Sequence, residues 1–338
     1  MATPEIPIEP LESGSVIAPS SIPSEAERHR SAFRLKLVAA FGVVYIVWGS
    51  TYLAIRIGVS SIPPFFMAGM RHLIAGVILL PIALWRTKER PTRQNWIAAL
   101  CVGGLLLLCG NGAVSWSEQF VPSGITALLV ATVSLWMVIV EWVRPGGTRP
   151  GGRVVAGLVF GFGGVVLLVA PWQRTGRVNL AGAAILLLGS LCWASGSVFA
   201  RHLRLPRSML LATAMECVCG GSLLFFAGTI TGEGARFHLS EVPLRGWLAV
   251  LYLAFFGSLV GLSAYTWLLH HAPPARVGTY AFVNPLVALL LGWTFAGEHF
   301  TPRVVLATAI IVGSVIAIIT ARRSAPSQEE ALPNPAAE

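Results

Sequence analysis

Residues 95–116 read NWIAALCVGGLLLLCGNGAVSW, a run with no Asp, Glu, Lys or Arg. A helix rises ~1.5 Å per residue, so a run of this length crosses a ~30 Å hydrocarbon core. Outward from it, nine further apolar segments follow the same pattern: 36–57, 64–85, 122–142, 152–171, 179–200, 208–230, 246–269, 275–296 and 303–321. Across the 338 residues, 55% are hydrophobic and 12% charged, against ~25% charged in a soluble domain. That balance excludes an ordinary soluble enzyme. Strands of alternating polarity are missing, which excludes a β-barrel. The sequence predicts an all-α polytopic membrane protein with ten transmembrane helices.

Charge placement sets the orientation. With the N-terminus inside, 17 of the 24 Lys and Arg fall on the cytoplasmic side, six fall outside (Arg56, Arg174, Arg177, Arg236, Arg245, Arg303), and Arg71 lies within a span. Both termini are therefore expected in the cytoplasm. The net charge of +9 is then a topology signal, and no nucleic acid is expected as a partner.

The second half repeats the first. At an offset of 145, Trp48, Ser50 and Arg56 match Trp193, Ser195 and Arg201, Met70-Arg71 matches Met215-Glu216, and Gly76 matches Gly221. At 151, Gly110, Ala113, Trp116 and Pro122 match Gly261, Ala264, Trp267 and Pro273. At 152, Gly157 and Gly161 match Ala309 and Gly313. Such an offset crosses five spans, an odd number, so the second copy enters from the opposite face. A 5+5 inverted repeat is expected, with a midplane site between the halves. The boundaries read as a disordered cytoplasmic tail over 1–35, a first five-helix unit over 36–171, a linker over 172–178, a second unit over 179–321 and a second disordered tail over 322–338.

Three stretches carry a family resemblance: Trp48-Gly49-Ser50-Thr51-Tyr52; Asn111-Gly112 followed by Trp116, Glu118, Gln119, Pro122, Ser123 and Gly124; and Asn284-Pro285 followed by Gly297-Glu298. With these motifs the chain resembles the EamA family of the drug/metabolite transporter superfamily over about residues 36–321. The resemblance implies two five-helix EamA repeats and export of small metabolites or drugs. The family pattern has Pro in both halves at the place of Pro285, and here the first half has Ser134. Ser134 and Pro285 are the expected hinges, and a Ser bends its helix more gently than a Pro.

Arg71 and Glu216 are the sharpest site candidates, because an ionised group inside a span costs ~2.5–3.5 kcal/mol on insertion scales and must face a cavity or a partner. Their depths make them two poles of one pathway: Arg71 draws anionic groups, and Glu216 is the candidate for proton coupling. Helix locking or snorkelling is the structural alternative. Trp48, Tyr52, Asn111, Trp116, Trp193, Tyr265, Trp267 and Tyr280 are expected to complete the substrate pathway with aromatic walls and placed polar groups. Glu118, Glu141 and Glu298 sit at span ends, where a carboxylate meets water or caps a helix. The Gly157/Gly161 and Ala309/Gly313 faces suit close helix contact, with a homodimer interface as an alternative.

Much chemistry is excluded by what the sequence lacks. Asp does not occur, Gly-Lys does not occur, and His-Glu-x-x-His does not occur, so there is no P-loop and no zinc-protease motif. No catalytic residue, metal or cofactor is expected. Cys101, Cys109, Cys192, Cys217 and Cys219 read as small apolar filling. The reading is a bacterial inner-membrane secondary transporter that exports an amino-acid-like or aromatic solute by alternating access, with the solute and the bilayer as its partners. An intramembrane lipid-modifying enzyme and a non-transporting scaffold or receptor are the alternatives.

Overall fold

The computed structural model describes residues 25–147, 149–169, 178–272, 277 and 279–323. The expected tails over 1–24 and 324–338, nearly all of the linker, Arg174, Arg177, Pro273 and Arg276 lie outside the described residues. The described residues are helical and form no strand. The chain divides into two compact units, Met1–Val38 and Ala39–Glu338. Where it is described, the first is the opening of α1.

The helices are α1 (Glu25–Val59), α2 (Pro64–Thr87), α3 (Arg93–Ser117), α4 (Ser123–Val143), α5 (Gly152–Val169), α6 (Leu180–Phe199), α7 (Met209–Ile230), α8 (Leu244–Leu268), α9 (Tyr280–Phe295) and α10 (Pro302–Arg323). Eight of them are long and apolar enough to cross a membrane, and the last two contain shorter apolar helices, Val283–Phe295 and Pro302–Ile318. The 16 residues of α9 cover about 24 Å. Helix α1 begins at Glu25 rather than at the end of a tail at 35. Glu, Ala and Arg are good helix formers, so the rod continues beyond its apolar part.

Local chemistry starts and stops these rods. Pro64 opens α2, where its missing N–H costs nothing, and Lys88 closes it in the left-handed conformation (φ 53°). Thr92 and Asn95 form a reciprocal capping box on α3. Asn179 and Ser208 accept from Gly182 N and Leu211 N to begin α6 and α7. Large apolar side chains such as Ile46, Val77, Phe160 and Phe226 are exposed, an outside that suits hydrocarbon rather than water.

Two features depart from plain α-helix. Gly104–Asn111 in α3 and Leu253–Leu262 in α8 are wide π-helical segments. Helix α4 is interrupted by turns at Ala131 and Thr132, just ahead of Ser134, whereas α9 runs unbroken through Pro285.

The most extensive packing among the described residues is between α2 and α7. A Cβ on Gly76 would lie 2.8 Å from Val218 Cγ2, and one on Gly221 would lie 2.8 Å from Leu73 Cγ. Only glycine admits such an approach. Gly157 and Gly161 face inward, where a Cβ would meet Ile318, Leu135 and Ser314. Ala309 and Gly313 are exposed on an open groove that also carries Arg153 and Phe160.

Three glutamates from connections cap distant helices. Glu233, after α7, accepts from Phe65 N (3.1 Å) and Phe66 N (2.9 Å) at the start of α2. Glu89, after α2, accepts from Arg207 N (3.1 Å) and Ser208 N (3.2 Å) at the start of α7. Glu298, after α9, accepts from Ser123 N (2.7 Å), Ser123 Oγ (2.8 Å) and Gly124 N (3.1 Å) at the start of α4.

Candidate functional site

A cavity of about 80 Å³ lies where α1, α2, α3, α4, α6, α8 and α9 converge. Trp48, Tyr52, Arg71, Asn111, Trp193 and Tyr280 line it. Each comes from the inward face of its helix, so the aromatic residues form a wall and Arg71 supplies the charge.

Trp48 is the hub of that wall. Its ring centre lies 6.0 Å from Trp193 and 5.4 Å from Tyr280, both edge-on, and 4.9 Å from Tyr265. Tyr265 is edge-on to Tyr280 at 5.6 Å and stands behind the lining. These separations fall in the favourable range for aromatic pairs. Trp48 Nε1 donates to the Gly257 carbonyl at 3.1 Å, inside the π segment of α8. Gly110 and Gly261 make room for the indoles: a Cβ would lie 2.9 Å from Trp193 Cε3 at Gly110 and 2.5 Å from Trp48 Nε1 at Gly261.

Arg71 is 4% exposed. Its guanidinium donates through Nη2 to Asn111 Oδ1 and through Nε to His72 Nε2 at 3.2 Å. No ion pair joins it to Glu216 among the described residues. Among the described residues the lining carries no Asp or Glu, so Arg71 dominates its electrostatics. His72 Nδ1, Ser190 Oγ and Ser258 Oγ are buried without a hydrogen-bond partner, and all three residues line the cavity. Buried polar groups of this kind ordinarily have partners, and here a solute can supply them.

Four expected pathway residues are outside the lining: Tyr265 stands behind it, and Glu216, Trp116 and Trp267 stand apart. Glu216 is buried in α7, where a Cβ on Gly103 of α3 would lie 2.8 Å from its main-chain oxygen. Trp116 packs edge-on to Phe120 at 5.2 Å, and Trp267 stacks on His271 at 4.2 Å. Sequence reasoning missed His72, Ser190 and Ser258, while Thr51 lies in the first family motif. His72 had one available signal, a polar residue beside Arg71 inside a span. Asn284, legible within the family motif, also lines the cavity.

Eight membrane-length apolar helices packed around a central cavity define a class, a multi-pass membrane protein. The comparisons with known proteins agree. The EamA-like transporter family matches residues 36–170 and 180–320, and the chain belongs to that family. It is 40% identical over 301 residues to the uncharacterized inner membrane transporter YedA of Escherichia coli (strain K12), covering 88% of this chain and 95% of the relative. It is 23% identical to a probable amino-acid metabolite efflux pump of the same organism, over 80% of this chain and 92% of the relative. A solved crystal structure aligns over 85% of this chain and 99% of its own with a TM-score of 0.61 and 20% identity, a likeness of fold alone. The chain is a multi-pass inner membrane protein.

Proposed function

We propose that this transporter exports a small organic solute bearing a negatively charged group and an aromatic or apolar body, by alternating access between two inverted five-helix halves. The observation that carries the reading is the cavity itself: one buried guanidinium, unpartnered polar groups and an aromatic wall, drawn from both halves of the chain. Arg71 holds the anionic group through charge-assisted hydrogen bonds, and Trp48, Trp193 and Tyr280 enclose the body. A ligand site commonly measures ~300–1,000 Å³, so a cavity of about 80 Å³ suits a conformation between openings.

Reciprocal contacts support the two-halves reading. Gly76 meets Val218 as Gly221 meets Leu73, and each pair maps onto the other at the offset of 145. Gly110 meets Trp193 as Gly261 meets Trp48. Glu233 caps α2 as Glu89 caps α7. The π segments of α3 and α8 also correspond. With the Lys and Arg balance placing both termini inside, the end that holds Glu233, Glu298 and the starts of α2 and α4 faces outward. Ser134 and Pro285 act as hinges in this scheme, and Glu216, one side of the α2–α7 joint, is its proton-coupling candidate. A second copy docking on the exposed Ala309/Gly313 groove is the form a dimer takes here.

The test is a growth-protection screen. The chain is expressed in a sensitive host against a panel of toxic carboxylates, amino acids, amines and neutral aromatics. Any hit is then followed as labelled flux in proteoliposomes. Protection against anionic solutes that is lost in Arg71→Gln supports the reading, and equal protection by wild type and Arg71→Gln refutes it.

A further inference from the structure

Glu118 follows α3 directly and has no task in the transport scheme above. Its place at a span end predicts a solvated or capping carboxylate, and the structure provides neither. The residue is 0% exposed, and neither carboxyl oxygen has a hydrogen-bond partner. Glu233 and Glu298, by contrast, cap α2 and α4 at the same end. Arg56 turns its guanidinium to the Glu118 main-chain carbonyl, and no ion pair engages the Glu118 carboxyl among the described residues. Burial with no hydrogen-bond donor and no ion-pair partner among the described residues pushes this carboxyl well above the usual carboxylate range, with the Glu298 carboxylate adding to the push and Arg56 and Arg71 opposing it. This environment therefore holds Glu118 as the neutral acid.

The charged and titratable groups that act on it are Tyr52 and Arg56 from α1, Arg71 from α2 and Glu298 from the α9–α10 connection. Helix α6 meets this end through the Gly182 carbonyl, which accepts from Ser117 Oγ at 3.1 Å, and adds no titratable group. Helix α4 begins beside it with Ser123 and Gly124, both held by Glu298.

We propose that Glu118 is a proton-binding site at the outer end of α3, occupied while that end of the transporter is closed and emptied when it opens. Opening parts the start of α4 from Glu298 and lets water reach Glu118, which ionises. The ionised acid then stands near the Glu298 carboxylate, and the like charges resist closure until a proton returns. Closure is favoured at low outer pH, and that advantage disappears as pH rises through the range where the open form ionises. The inference rests on alternating access, and its readout is separate from that of the solute.

The test uses the full chain in lipid nanodiscs without solute, with its five cysteines replaced. Spin labels at Phe120→Cys and Ala296→Cys, both exposed positions in different halves, report the width of the outer end from pH 5 to pH 8. The expected result is an open-to-closed ratio that rises with pH, by at most tenfold per unit for one proton. Glu118→Gln, which keeps the shape of the neutral acid, stays closed throughout, and Glu118→Asp keeps a pH response. A Glu118→Gln protein with the wild-type pH response overturns the proposal, as does a wild type whose ratio ignores pH. If a solute from the growth screen still switches the labels in either case, alternating access stands and only the proton site is lost.

Discussion

Glu233→Gln is the sharpest probe of how the halves are joined. Glu233 is 1% exposed, and its two oxygens take Phe65 N at 3.1 Å and Phe66 N at 2.9 Å. Glutamine keeps one acceptor and turns an NH₂ group toward the second N–H. One charge-assisted bond is lost, the other becomes neutral, and a buried donor is left facing a donor. Hydrogen bonds to charged groups are worth ~1.5–3 kcal/mol each, so a loss of about 3 kcal/mol is expected. For a chain above 150–250 residues, a loss of this size lowers Tm by roughly 5–10 °C. Thermal unfolding of purified protein in one detergent at one scan rate measures it. Glu89→Gln is the matched control, because Glu89 makes the equivalent pair of bonds to Arg207 N and Ser208 N but is only half-buried. Water replaces what it loses, so its cost stays below about 1 kcal/mol. A Glu233→Gln protein that melts within a degree of wild type refutes the reasoning, as does one that merely matches Glu89→Gln.

Other perturbations test other joints. Gly76→Val and Gly221→Val should each destabilise by about 1–3 kcal/mol through overpacking of the α2–α7 contact, while Gly42→Val, with nothing within 4 Å of the new Cβ, stays near wild type in the same melts. Arg71→Gln removes the one Lys or Arg of the cavity lining among the described residues. Its affinity for an anionic solute found in the growth screen should fall at least tenfold, the equivalent of ~1.4 kcal/mol, and unchanged affinity in a direct binding titration would remove Arg71 from recognition. Gly110→Leu fills the space of the Trp193 ring and should abolish flux while leaving membrane insertion intact, with flux and quantity in the membrane measured side by side.

The broad architecture was legible because crossing hydrocarbon leaves so strong a mark on composition. The apolar run at 95–116 and seven of its companions mark the eight membrane-length helices, two more mark shorter apolar ones, and the matched pairs Gly76/Gly221 and Gly110/Gly261 fall at helix contacts. Arg71, Trp48 and Trp193 were readable because charge and indole inside a span are rare. Less was legible where hydropathy is indifferent. Leu105 to Leu108 are equally apolar in an α- or a π-helix, so the wide segment of α3 leaves no trace in the pattern. Ser190 and Ser258 resemble any small helix-packing residue until the cavity places them together. Glu298 reads as a capping or solvated acid, but a connection does not say which distant helix its acid will cap, and nothing in the pattern singles out Glu89 or Glu233. Glu118 looks like its neighbours in sequence and differs from them only in what the fold denies it.

The opposite threading of the two halves is tested most directly at their matching connections, α2–α3 and α7–α8, which lie five helices apart. In a cysteine-free background, Lys88→Cys and Gly234→Cys are each challenged on intact cells with a membrane-impermeant maleimide. The account predicts labelling at Gly234→Cys and protection at Lys88→Cys until the membrane is broken. Labelling of both positions from the same side would contradict it.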